Sequence, residues 1–144
     1  MEKKNGMLTD ELREKLIQVA VEARHWAYAP YSNYRVGAAL LTSSGKIYDG
    51  VNVENAAYPD SICAERVAIF KAVSEGETSF DALVVSTSNG GSPCGSCRQV
   101  LAEFGLNTLV LIADDQGHVL CELRTDELLP GSFGPRDLLG KSQD

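Results

Sequence analysis

Residues 80–113 read FDALVVSTSNGGSPCGSCRQVLAEFGLNTLVLIA. Phe80 to Thr87 holds the aliphatic run Ala82-Leu83-Val84-Val85, the composition of a buried strand. The glycine-rich Ser88-Asn89-Gly90-Gly91-Ser92-Pro93 then breaks the pattern, and a helical one runs from Cys94 to Phe104 until Gly105 stops it. Thr108 to Ala113 is a further strand. The stretch is one strand, helix, strand unit, and a sheet with helices packed on it follows.

Upstream, Cys63 to Val73 is apolar around most of a helical cylinder and stops at Gly76, which predicts a largely buried helix. Before it, Val36 to Leu41 and Ile47 to Val53 flank the turn Thr42-Ser43-Ser44-Gly45-Lys46 and form an antiparallel hairpin. Still earlier, Leu12, Leu16, Val19, Ala20, Ala23 and Ala27 recur at helical spacing behind the capping sequence Thr9-Asp10-Glu11. That helix is expected to end near Ala27, because Pro30 forbids continuation. Downstream, Asp114-Asp115-Gln116-Gly117 makes a turn, Val119 to Leu123 a last strand and Thr125 to Leu129 a short helix before a Pro/Gly-punctuated tail. The order α-β-β-α-β-α-β-β-α predicts an α/β fold, a three-layer sandwich with a mixed five-stranded sheet flanked by helices. Residues 1–144 read as one domain, with 1–8 as a loose polar arm.

The 144 residues are 44% hydrophobic, enough for one substantial core. Acidic residues outnumber basic ones 20 to 13, a net charge of -7, which disfavours polynucleotide or anionic-membrane partners. No run approaches the roughly 18 apolar residues of a membrane span. Met1-Glu2-Lys3-Lys4-Asn5-Gly6 lacks the apolar stretch of a signal peptide, so a cytoplasmic protein is expected.

In a reducing compartment the four cysteines favour thiol or metal chemistry over disulfides. Cys94 and Cys97 share a face in the opening turn of one predicted helix, and Cys63 opens the other. Helix N-termini stabilise thiolate, and three thiolates suit zinc with a fourth position left for water. The alternative is a Cys-x-x-Cys redox pair plus a core cysteine. Cys121, in Val-Leu-Cys-Glu-Leu, reads as a small buried or half-buried apolar residue rather than a fourth ligand. Glu65, in an apolar helix, needs a partner or a proton. Water activated by the metal would supply the proton, whereas Lys71 or Arg66 would supply an ion pair. Because positions i and i+2 diverge on a helix, the first option requires Cys63 to act from a non-helical cap position. Three thiolates on one zinc sum to a net charge of -1, which Arg66 would offset as a donor to sulfur unless it is a plain surface arginine. His25 and His118 read as solvated, and the glycine-rich loop lacks the Lys-Ser/Thr of a phosphate-binding loop.

Cys63-Ala64-Glu65 followed by Pro93-Cys94-Gly95-Ser96-Cys97 resembles the zinc nucleoside deaminase signature. Residues 30–40, Asn52-Val53-Glu54-Asn55-Ala56 and Glu127 to Pro135 are similar to the small, homotetrameric cytidine deaminases. The resemblance runs from about Tyr28 to Leu138. It implies one zinc ion on Cys63, Cys94 and Cys97, and Glu65 shuttling protons between activated water, ring N3 and the departing ammonia. Cytidine and 2'-deoxycytidine would become uridine and 2'-deoxyuridine, a pyrimidine salvage reaction. Asn52 and Glu54 match the ribose-binding pair, Glu54 accepting from the 3'-hydroxyl, and they favour a free nucleoside over the cytosine-containing antibiotics that related deaminases take. Ala64 joins the implied substrate contacts. Tyr34 stands where the family commonly has a phenylalanine lining the pyrimidine pocket, and its added hydroxyl needs a partner if buried. Phe133 resembles the aromatic that a neighbouring subunit presses onto the base, and Tyr58 the residue that reaches a ribose across the interface, so the implied active site is shared between subunits.

Overall fold

Alternation along the strands decides which helix covers which face of the sheet. The structure is a computed structural model that describes residues 8–140. Its elements in chain order are α1 (Asp10–Ala23), β1 (Gly37–Thr42), β2 (Ile47–Val51), α2 (Ala64–Ser74), β3 (Phe80–Ser86), α3 (Gly95–Glu103), β4 (Leu109–Ala113), β5 (Val119–Arg124), α4 (Thr125–Leu128) and α5 (Pro135–Leu139). The five strands form one sheet in the order β2-β1-β3-β4-β5, with β3 and β4 parallel and every other pair antiparallel. Ala39, Leu41, Ala82, Val84 and Leu111 pack against Leu12, Leu16 and Ala20 of α1. Their sequence neighbours Ala38, Leu40, Leu83, Val85 and Val110 point to the opposite face and meet Ala68 and Ile69 of α2 and Leu101 of α3. The result is the expected three-layer sandwich with a mixed five-stranded sheet. Among the described residues no helix is long and apolar enough to cross a membrane.

The differences from expectation lie at element ends. Thr9 caps α1 through a bond from the Leu12 N–H to its hydroxyl at 3.2 Å. The helix, however, ends at Ala23 and tightens into a 3₁₀ turn over Arg24–Trp26. Ala27 is extended yet still buried, which explains why it continued the apolar spacing. β2 stops at Val51 rather than Val53, and Val53 instead bridges Tyr28 and Ile62. The tail contains a helix that its punctuation concealed, α5, with Pro135 in its first turn and Gly140 in a left-handed cap at φ 68°. Of the expected arm, residues 1–7 lie outside the described residues, while Leu8 packs beside the α1 cluster.

Candidate active site

Two helix N-termini converge beside the end of β3. Cys63 caps α2 with extended backbone (φ -78°, ψ 152°) and Cys94 caps α3 likewise (φ -68°, ψ 170°). Neither side chain caps the backbone N–H groups of its own helix, so both sulfurs are turned to other partners. Cys63 thus holds the non-helical cap conformation that its joint action with Glu65 requires. Cys97, in the first turn of α3, is fully buried. Cys63 Sγ lies 3.7 Å from Cys94 Sγ, which lies 3.6 Å from Cys97 Sγ, and all three fall within 4.8 Å of one another. Tetrahedral zinc with Zn–S bonds of about 2.3 Å sets sulfurs about 3.8 Å apart, so the trio fits one such ion.

The charges around the sulfurs point the same way. The Cys97 thiol, Arg66 and Cys94 together hold Cys63 down to about 5, and Arg66 Nη2 donates to its sulfur at 3.4 Å. Cys97 is pushed up, first by its hydrogen bond with Cys63 and then by burial. Thiolate at Cys63 therefore makes thiolate at Cys97 costly, and a divalent cation relieves the conflict. Glu65, in the first turn of α2, is only 5% exposed, and burial raises its carboxyl to about 7. Lys71 is engaged elsewhere, 2.6 Å from Asp49 Oδ1, so it does not neutralise Glu65. Arg66 is not a free surface residue: besides its bond to Cys63, its Nε is buried without a hydrogen-bond partner among the described residues.

Cys63, Cys94, Glu65 and Arg66 share a cavity of about 440 Å³ with Tyr34, Asn52 and Glu54, a size suited to a small organic ligand. Asn52 Oδ1 accepts from the Val36 N–H at 2.9 Å and its Nδ2 donates to the Tyr34 carbonyl at 2.8 Å. Glu54 accepts from the backbone N–H groups of Tyr31 and Ser32 at 2.9 and 3.1 Å and from the Ser32 hydroxyl. The Ser32 hydroxyl is the main reason its carboxyl is held below the ordinary value. The Tyr34 hydroxyl finds its partner in Asn89, donating to Oδ1 at 2.7 Å.

Three expected contacts lie apart from this cavity. Ala64 does not line it, because as the first residue of α2 it is fully buried with its carbonyl against Gly50 of β2. Tyr58 is 72% exposed beside a smaller cleft, edge-on to Tyr31 with ring centroids 6.0 Å apart. Phe133 is 59% exposed, its carbonyl accepting from Gln99 Nε2 at 2.8 Å. Cys121 is exposed on β5 rather than buried or half-buried, and it lies outside the sulfur cluster. His118 is exposed and pairs with Asp114 at 3.0 Å. Sequence reasoning missed Ser32, Asn89 and Thr87. For Ser32 a signal existed, since a serine two residues before Tyr34 forms a side-chain turn whose hydroxyl accepts from the Tyr34 N–H at 3.0 Å.

Three thiols over a buried carboxylate, carried by two helices on one face of a mixed sheet, define a zinc hydrolase that acts through activated water. Residues 10–113 match the family model described as the cytidine and deoxycytidylate deaminase zinc-binding region. A probable cytidine deaminase of Dictyostelium discoideum is 45% identical over 94% of this chain and 93% of its own length. A cytidine deaminase of Sporosarcina psychrophila is 49% identical over 87% and 93%. Among solved structures, cytidine deaminase from Burkholderia pseudomallei superposes with a TM-score of 0.79 at 44% identity, covering 88% of this chain and all of that one. The chain belongs to the cytidine and deoxycytidylate deaminase family, among its small cytidine deaminases.

Proposed function

We propose that this protein hydrolyses cytidine and 2'-deoxycytidine to uridine and 2'-deoxyuridine with release of ammonia, as an enzyme of pyrimidine salvage. The observation that carries the reading is the cluster of three sulfurs at zinc spacing, two of which, Cys63 and Cys94, line one cavity with a buried carboxyl at about 7. Cys63, Cys94 and Cys97 would hold the zinc ion. When bound, zinc on three thiolates leaves one position for water and lowers its pKa toward about 7.

Glu65 takes the proton from the attacking water and delivers it to ring N3, which makes C4 electrophilic. It then takes the proton of the hydroxyl added at C4 and carries it to the exocyclic amine, so that the C4–N bond breaks, C4=O forms and ammonia leaves. Its burial suits both steps, since a carboxyl near neutrality accepts and returns a proton at little cost. Arg66 draws charge from the Cys63 sulfur. Asn52 and Glu54 receive the ribose, and Glu54 is prepared for a sugar hydroxyl because Ser32 and two backbone N–H groups keep it an ionised acceptor. The Tyr34 ring lines the pyrimidine end.

The net charge of -7 offers no basic track for a polynucleotide, so the substrate is a free nucleoside. Exposed Phe133 and Tyr58 fit a homotetramer in which neighbours complete each other's sites. The chain acts as one domain, and a cytoplasmic location keeps its thiols reduced. Ultraviolet absorbance after mixing zinc-loaded protein with cytidine is the test. Conversion to the uridine spectrum is expected, and its absence in zinc-replete protein would overturn the reading.

A further inference from the structure

Tyr34 is a junction that the reaction above does not use in full. Its N–H donates to Ser32 Oγ at 3.0 Å, and that hydroxyl in turn donates to Glu54. Its carbonyl accepts from Asn52 Nδ2 at 2.8 Å. Its main chain is thus tied on both sides to the sugar-holding pair. Its phenolic O–H goes to a different element, donating to Asn89 Oδ1 at 2.7 Å in the loop between β3 and α3. Asn89 Oδ1 also accepts from Thr87 Oγ1 at 3.4 Å, and Thr87 Oγ1 accepts from the Gly91 N–H at 2.7 Å. A Cβ on Gly91 would lie 2.3 Å from the Tyr34 hydroxyl oxygen, so this loop closes around the phenol with no room for a side chain. The same loop runs on through Ser92 and Pro93 into Cys94.

We propose that the Tyr34 hydroxyl and Asn89 form a clasp that fixes the wall carrying Asn52 and Glu54 relative to the loop carrying Cys94, and so makes sugar recognition count toward turnover. The proposal rests on the reading that Glu54 holds the 3'-hydroxyl. Contacts remote from the reacting carbon accelerate its reaction only if both ends of the substrate are held at one spacing. Asn89 is a positioning residue here, acting through Tyr34 without touching the ring.

The test is steady-state kinetics on cytidine and on 3'-deoxycytidine, with zinc content measured for every variant. Wild-type protein is expected to prefer cytidine. Tyr34→Phe and Asn89→Ala should each lower kcat on cytidine about tenfold while changing 3'-deoxycytidine less than about twofold. Zinc content should be unchanged, the double variant should lose no more than either single one, and Asn89→Asp, which keeps the acceptor, should retain the wild-type preference. Equal losses on both nucleosides, additive losses in the double variant, or no loss at all would overturn the clasp while leaving the sugar contact standing. A wild-type protein indifferent to the 3'-hydroxyl would instead remove the sugar role of Glu54, and the clasp with it.

Discussion

Glu65 is a carboxyl whose helix, solvent exposure and neighbours all act on its proton. Burial raises it from the ordinary carboxyl value of 4.5 to about 7, and the adjacent Cys63 charge adds to that. Glu65→Gln should keep zinc and bind uridine while kcat falls roughly 10²–10⁴-fold, as read by single-turnover absorbance and metal analysis. The same group makes the metal-free protein sensitive to pH. A carboxyl with a raised folded pKa contributes most below the unfolded value, and that contribution is lost as pH rises through the folded one. In urea denaturation without metal, Glu65→Gln should therefore gain on wild type between about pH 4.5 and 7, reaching roughly 3 kcal/mol and levelling above. A difference that stays constant with pH would show that Glu65 ionises freely in its site. The chemistry of Glu65 was legible because Cys-Ala-Glu is a local pattern. The bonds from Ser32 to Glu54 and from Tyr34 to Asn89 were not, since they join residues 22 and 55 positions apart.

The catalytic helix is seated by a glycine. Gly50 of β2 lies so near α2 that a Cβ there would sit 2.3 Å from the Ala64 carbonyl and 2.6 Å from the Ala68 nitrogen. The added methyl would meet helix backbone and the Ala68 Cβ at 3.1 Å, none of it the end of a flexible side chain, and α2 carries Glu65 with Cys63 as its cap. Gly50→Ala should cost on the order of 3 kcal/mol in thermal or urea unfolding and speed zinc loss to a chelator. Unchanged zinc retention would mean that the helix end does not depend on this contact. Strands and helices were readable here because each follows a period of apolar residues, but the glycine seat was not, because a strand glycine marks close approach without naming the partner. Element ends failed for a related reason. Ala27 keeps the apolar spacing of α1 after the helix has ended, and α5, at five residues, is too short to show a period.

At the scale of the whole molecule, one chain leaves several aromatic side chains unsheltered. Trp26, Tyr58 and Phe133 are all exposed, and the proposed contact between copies would cover Tyr58 and Phe133. No pattern within a single chain separates such residues from ordinary surface, so the roles expected of Tyr58 and Phe133 came only through the family resemblance. If Phe133 closes a neighbour's cavity, each site draws Glu65 from one subunit and Phe133 from another. Glu65→Gln and Phe133→Ala then damage different halves of the same site. Phe133→Ala alone should raise KM for cytidine about tenfold, the loss of one buried aromatic contact. When the two variants are dissociated together and reassembled, some sites will combine intact Glu65 with intact Phe133. At subsaturating cytidine the mixture should turn over several-fold faster than the average of the two separate preparations, and sizing should show a tetramer. A mixture that gives only the average would place Phe133 in its own subunit's site and remove the basis for a shared active centre.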